Sequence, residues 1–430
     1  MKAASVPVNL LDRLEAVDWS RYIDRDLLLA LLAILGIGVV MLGSASLWVA
    51  EKDYGNAFHY LNRQVAFLCL GVVMAIAIYQ VRIGFWEGLG VKLLPAVVVL
   101  LVVVLTPGIG TEVKGSRRWL SMGIISLQVS EMVKLIMVLY LSGYLVRHGK
   151  KLATSDSYQP LFIPLLVLGL IGGLLMLEPD FGSTVIILAV GLALLFLGGV
   201  PLKRLGILLG GAILVMVPLA MMGYRGARLE AYMNPWAFEM GKGYQTVHAL
   251  MSIGDGGWFG NGLGAGVQKL FYLPEAHNDF IFAVLAEEFG FIGMLAVLAL
   301  FGWLVYRAFV IGFQADKQGQ YFGAYVAYGI GFWVGFQVIL HVGVNLAVLP
   351  PKGLTLPLMS YGGSSLMVSL MAMGLLMRVH RDTQISLFGL PNRKVSRLGL
   401  AGLLGLVDKR KPAPSVVKKN NTVLGRKLHG

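Results

Sequence analysis

The chain has 430 residues, 57% of them hydrophobic and 14% charged, with a mean hydropathy of +0.74 and a formal net charge of +13. A soluble domain is about 45–50% apolar and about 25% charged; the excess here lies in long uncharged runs of the kind that cross a bilayer. Composition therefore excludes a soluble globular protein, a disordered chain and a collagen-like fibre, and the absence of alternation within the runs argues against a β-barrel.

In chain order, residues 1–26 mix acids and bases and read as a cytoplasmic segment. The first apolar run, Leu27 to Ala50, is too long for a signal h-region, so no cleavable signal peptide is expected and the run reads as the first permanent span. Ten spans follow from the hydropathy: 27–49, 64–80, 91–106, 127–146, 161–177, 184–200, 205–223, 280–305, 321–349 and 354–377. The expected fold is an all-α polytopic membrane protein whose ten-helix domain covers 27–383, with a large extracytoplasmic loop, 224–279, between helices 7 and 8. Residues 384–430 form a basic tail, read as disordered and lying against anionic lipid. With both termini inside, the inner segments hold most of the 36 Lys and Arg. The charge is therefore an orientation signal, not a nucleic-acid patch. Cys69 is the single cysteine, so no intrachain disulfide can form.

Polar residues collect at the outer boundary. The 107–126 loop carries Gly115-Ser116-Arg117-Arg118-Trp119-Leu120, and Glu178-Pro179-Asp180 closes the fifth span. Within the long loop, seven glycines fall in the thirteen residues from Gly254 to Gly266. Glycine allows close backbone approach to an anion, but no GK[ST] follows, and a structural loop or broken helix is the stronger reading. Next come Pro274-Glu275-Ala276-His277-Asn278-Asp279. If helix begins by Pro274, then Glu275, Asp279, Ala283 and Glu287 share one face, a carboxylate stripe entering the membrane. The plainer alternative is an N-cap at Asn278 or Asp279, which leaves the deeper Glu287 and Glu288 unexplained. Glu131 and Lys134 are spaced to pair on the fourth span. Gln337, His341 and Asn345 form a polar face on the ninth, for which helix–helix hydrogen bonding is the plain reading. Lys352, Ser360 and the glycines after Tyr361 open the last span.

A synthetic reaction outside the cytoplasm has no ATP and needs a preactivated substrate. A lipid-linked diphosphate sugar fits: cations or N–H groups would hold the diphosphate, and a carboxylate at a partly desolvated boundary could serve as base.

The segments GSRRWL, QVSEMVKL, EPDFGST, YQTVHALMSIGDGGWFGNGLGAGVQKLFYLPEAHNDFIFAVLAEEFG and NLAVLPPKGLTLPLMSYGGSS resemble the SEDS family of cell-wall glycosyltransferases, and the likeness covers nearly all of 20–385. YLPEAHNDFIF and PPKGLTLPLMSYGGSS look more like its division branch than its elongation branch. The resemblance implies polymerisation of lipid II into peptidoglycan strands for the septum, with undecaprenyl diphosphate leaving and the active site facing the periplasm from the inner membrane. It places the catalytic acid on Asp279 and the family's Glu–Lys pair on Glu131 and Lys134. Three positions depart from the family pattern: Val129 where proline is common, Glu178 where glutamine is common, and Asn278 where threonine is common. Candidates for substrate contact are Glu275, His277, Lys134, Glu131, Arg117, Arg118, Lys269, Lys352 and Ser360. No metal-ligand spacing is visible; a divalent cation, Mg or Mn, assisting the diphosphate is the one cofactor considered. Implied partners are a class B penicillin-binding protein, other division-complex membrane proteins and membrane lipid. A lipid II flippase and a non-catalytic scaffold that recruits the transpeptidase stand as alternatives.

Overall fold

The computed structural model describes residues 22–388, apart from 114–115, 124, 155–156 and 222–231. The segment through residue 21 and the tail from 389 lie outside the described residues.

Seven helices run from the start: α1 Arg25–Tyr54, α2 His59–Gln80, α3 Ile83–Leu105, α4 Val129–Thr154, α5 Gln159–Leu177, α6 Phe181–Leu197 and α7 Leu202–Met221. After the short α8, Tyr244–Gly256, come α9 Ile281–Lys317, α10 Tyr321–Asn345 and α11 Gly363–Phe388. Eight of these are long and apolar enough to cross a membrane; the 17-residue α6 and the 20-residue α7 complete the expected ten. Local chemistry sets several ends. The Asp24 carboxylate accepts from Leu27 N to cap α1, and Gly55 closes that helix in the left-handed region at φ 64°. Asp180 caps α6 through Ser183 N.

Most of α4 and α11 is enclosed by the other helices, whereas α2 and α3 turn their apolar faces outward. Apolar residues on both faces are what a helix bundle in hydrocarbon requires. The inner position of α4 explains its polar pair: Lys134 Nζ lies 2.8 Å from Glu131 Oε1, both nearly inaccessible.

Three features differ from the sequence expectation. The 107–126 loop folds as an antiparallel sheet of strands β1 Gly110–Val113, β2 Ser116–Met122 and β3 Ile125–Gln128, in that order. Its strands are too short for alternation to announce them. The last span begins at Gly363, not 354, because 351–358 is extended chain and turn with three prolines nearby. Finally, the eighth span is not one helix. Gly290 sits at φ 66°, ψ −166°, and splits α9 into a short inner piece and a long spanning one.

That break is closed by the glycine-rich segment. Asn261 N and Gly262 N donate to the carbonyls of Glu287 and Glu288, while Phe291 N and Ile292 N donate to Gly257 and Trp258 carbonyls. The orphan groups of both helix ends are thus satisfied by one strand of loop. A Cβ on Gly290 would lie 2.4 Å from Gly260 N, and one on Gly260 would lie 2.1 Å from Glu288 O. The glycines allow that contact; they cradle a helix break, not a phosphate. Glu287 accepts from Gln268 N, Val267 N and Ser252 Oγ, and Glu288 pairs with Lys269.

Candidate active site

The connections at one end of the bundle enclose a cavity of about 1100 Å³. Asp53 and Tyr54 come from the end of α1, Tyr60 and Arg63 from the start of α2, Arg118 and Gln128 from the sheet, and Gln245 from α8. Much of the remaining wall is drawn from residues 271–280 and 351–365.

Residues 274–280 form a chain of turns, and helix starts only at Ile281. Glu275 takes φ 59° and its carbonyl accepts from Asn278 N and Phe280 N. The carboxylate stripe through 275, 279, 283 and 287 therefore does not form, since no helix carries the first two. Nor do Asn278 or Asp279 cap α9: the N-cap residue is Phe280, with no side-chain cap bond. Three successive carbonyls are instead held from the 345–361 segment. His277 O accepts from Tyr361 N at 3.0 Å, Asn278 O from Ser360 Oγ at 2.7 Å, and Asp279 O from Asn345 Nδ2 at 3.1 Å. The half-buried Asp279 lines the cavity, and a Cβ on Gly353 would stand 3.5 Å from its Oδ2.

Opposite charge lies in the same chamber. Lys352 lines it with Nζ 3.9 Å above the Phe181 ring; burial lowers its pKa to about 8. The Arg118 guanidinium is fixed by the carbonyls of Glu178 at 3.0 Å and Pro179 at 2.7 Å. Neither oxygen of the Glu178 carboxyl has a hydrogen-bond partner among the described residues, and burial with neighbouring Asp180 raises its pKa to about 8. Arg63 supplies a third cation. Tyr60, His277 and Tyr361 form an aromatic wall, with ring centroids 4.5 Å apart for Tyr60–His277 and 5.0 Å for Tyr60–Tyr361.

The structure thus brings together Asp279, Glu275, His277, Arg118 and Lys352 from the sequence candidates, and it separates the others. Arg117, next to Arg118 on β2 and so on the other sheet face, pairs with Glu112 at 3.2 Å. Lys269 is buried against Glu288 and Ser44, away from the cavity. The Ser360 hydroxyl accepts from Leu356 N as well as bonding Asn278 O, so it braces the loop and is not turned to the cavity. Lys134 also donates to Gln337 Oε1 at 2.9 Å inside the bundle. His341 Nδ1 bonds Leu354 O and Gln337 Nε2 bonds Thr355 O, so these two side chains of the polar face of α10 hold the 351–358 segment. Among the described residues no group of three or more His, Cys, Asp or Glu could hold a metal ion. Residues missed from the sequence are Arg63, Tyr60, Tyr361 and Gln245. The one available signal was Arg63, a charge in the first turns of an apolar run.

The sequence pattern described as Cell cycle protein, common to FtsW, RodA and SpoVE, matches residues 25–385. The chain belongs to that family, the SEDS proteins. Within it, a protein of Thioalkalivibrio sulfidiphilus named "Probable peptidoglycan glycosyltransferase FtsW" is 49% identical over 362 residues, covering 84% of this chain and 90% of the relative. A Coxiella burnetii protein of the same name is 44% identical, covering 86% and 98%. Among solved SEDS-like structures, one from a peptidoglycan synthase complex superposes with TM-score 0.68 at 30% identity, over 86% of this chain and 98% of that one. An aspartate-to-alanine form of the Thermus thermophilus rod shape determining protein RodA gives TM-score 0.61 at 31% identity, over 85% and 98%.

Proposed function

We propose that the 27–383 helical domain polymerises lipid II into glycan strands, as a peptidoglycan glycosyltransferase of septal wall synthesis. The observation that carries this reading is one carboxylate, Asp279, set with its backbone clamped in a cavity that also holds Lys352, Arg118 and Arg63. Asp279 takes the proton from the acceptor sugar's 4-hydroxyl. The freed oxygen attacks the donor's anomeric carbon as the bond to diphosphate breaks, and undecaprenyl diphosphate departs with the electron pair. The transition state has oxocarbenium character, and a single displacement turns an α-linked donor into a β-1,4 link. Lys352, Arg118 and Arg63 oppose the charge that grows on the diphosphate. Glu275 and His277 contact the saccharide beside the base, and the Tyr60–Tyr361 wall bounds it.

The distribution of Lys and Arg supports an inner-membrane protein with this cavity on the periplasmic side. The likeness to a chain from a peptidoglycan synthase complex that coordinates polymerization and crosslinking supports a transpeptidase partner, a class B penicillin-binding protein, within the division complex.

The test is Asp279→Asn, which keeps size and removes the base. Purified with its transpeptidase, this variant binds the partner yet makes no glycan from labelled lipid II, and polymer at wild-type rate would reject the general-base role. Detergent separates this reading from transport, since polymer forms there with no leaflet to cross.

A further inference from the structure

Asn345, the last residue of α10, is fully buried, and its side-chain amide reaches the start of α9. Nδ2 donates to Asp279 O at 3.1 Å and to His341 O at 2.9 Å, while Oδ1 accepts from Ala283 N at 3.1 Å. In an unbroken α-helix the amide of residue 283 would donate to the carbonyl of residue 279. Here the asparagine amide stands between the two ends of that bond. Ala283 N, which also donates to Phe280 O at 3.0 Å, opens a tight turn, and the first i to i−4 bond at the start of α9 is Val284 N to Phe280 O. Asp279 is kept just outside the helix, with its part-buried carbonyl satisfied.

We propose that Asn345 is the positioning residue for Asp279. Were the helix to extend backward by a turn, each added residue would rotate by about 100° and carry the carboxylate off its line to the cavity. Only a short side chain that both donates and accepts can bridge the pair. Aspartate keeps the acceptor and loses the donor, and leucine has neither. The same face of α10 also fixes the opposite wall, through Gln337 to Thr355 O and His341 to Leu354 O. One helix thus sets the spacing between the base and the Lys352 loop. The inference rests on Asp279 being the proton acceptor.

The experiment measures lipid II polymerisation by the full chain with its transpeptidase, for Asn345→Leu, Asn345→Asp and Asp279→Asn, together with thermal stability and partner binding. Asn345→Leu is expected to lower kcat about 10- to 100-fold with KM for lipid II little changed and partner binding intact. Asn345→Asp is expected to retain more kcat and to move the acid limb of the pH profile upward, because a second carboxylate then borders Asp279. Wild-type kcat in Asn345→Leu with an inactive Asp279→Asn overturns the positioning role alone. So does a fall in kcat that follows lost stability while the Asn345→Asp acid limb stays in place. Polymer from Asp279→Asn overturns the general-base reading itself.

Discussion

Lys352 shows what position does to a single charge. An exposed lysine keeps its proton to about pH 10.4, but burial in the cavity wall brings this one to about 8. Below that pH it is an ammonium lining the cavity; as pH rises through about 8 the charge is lost. The kcat/KM for lipid II is therefore expected to fall on that alkaline limb, and a pH series on the purified complex checks it. Bound diphosphate favours the proton, so the limb should be weaker in kcat than in kcat/KM. Lys352→Arg, which stays charged, should move the limb to higher pH. The residue type was legible in the sequence, and so was its place in the PPKG run. Its partner surface, the Phe181 ring, was not, because 171 positions separate the two. Lys269 shows the opposite outcome: an equally plausible cation by sequence, it is spent on Glu288 in the interior. A buried acid of that kind is tolerated because it is paired, and removing one partner costs about 3–5 kcal/mol.

At the scale of elements, the broken α9 is the feature on which the site depends. Its short inner piece presents Asp279 just before its first turn, and its break is stitched by the glycine segment. Gly290→Ala would place a side chain 2.4 Å from Gly260 N at a φ of 66°. Strain of this kind costs about 1–3 kcal/mol before the clash is counted, so the variant is expected to melt several degrees lower and to lose polymerisation. Gly302→Ala, in the same helix with open space around it, serves as the control and should change neither; differential scanning fluorimetry and glycan synthesis read both. Hydropathy located this element to within a residue at its start, yet drew it as one uninterrupted span. Gly290 follows the Glu287–Glu288 pair and stands three residues before Gly293, but these local features alone do not announce a break. Only the arrival of Gly257 to Gly262 against it makes a break favourable.

For the whole molecule, the cavity is walled by the α1–α2 and α3–α4 regions, the segment between α8 and α9 and the α10–α11 connection, and the α4–α5 and α9–α10 turns are not part of its wall. With Cys69 replaced by alanine, a cysteine at the exposed Lys242 should react with a membrane-impermeant maleimide from the periplasm, and one at the exposed Lys151 should react only after lysis. Labelling of both from outside would reject the orientation. Sequence by itself determined the class and the apolar elements, because span length and hydropathy are properties of neighbouring residues, and it put Asp279 forward through the family resemblance. Tertiary structure decided which candidate cations face Asp279, that the glycines close a helix break, and that α10 holds the loop carrying the acid. Those outcomes depend on groups tens to hundreds of residues apart competing for the same buried hydrogen bonds, a competition that is resolved only when the helices pack.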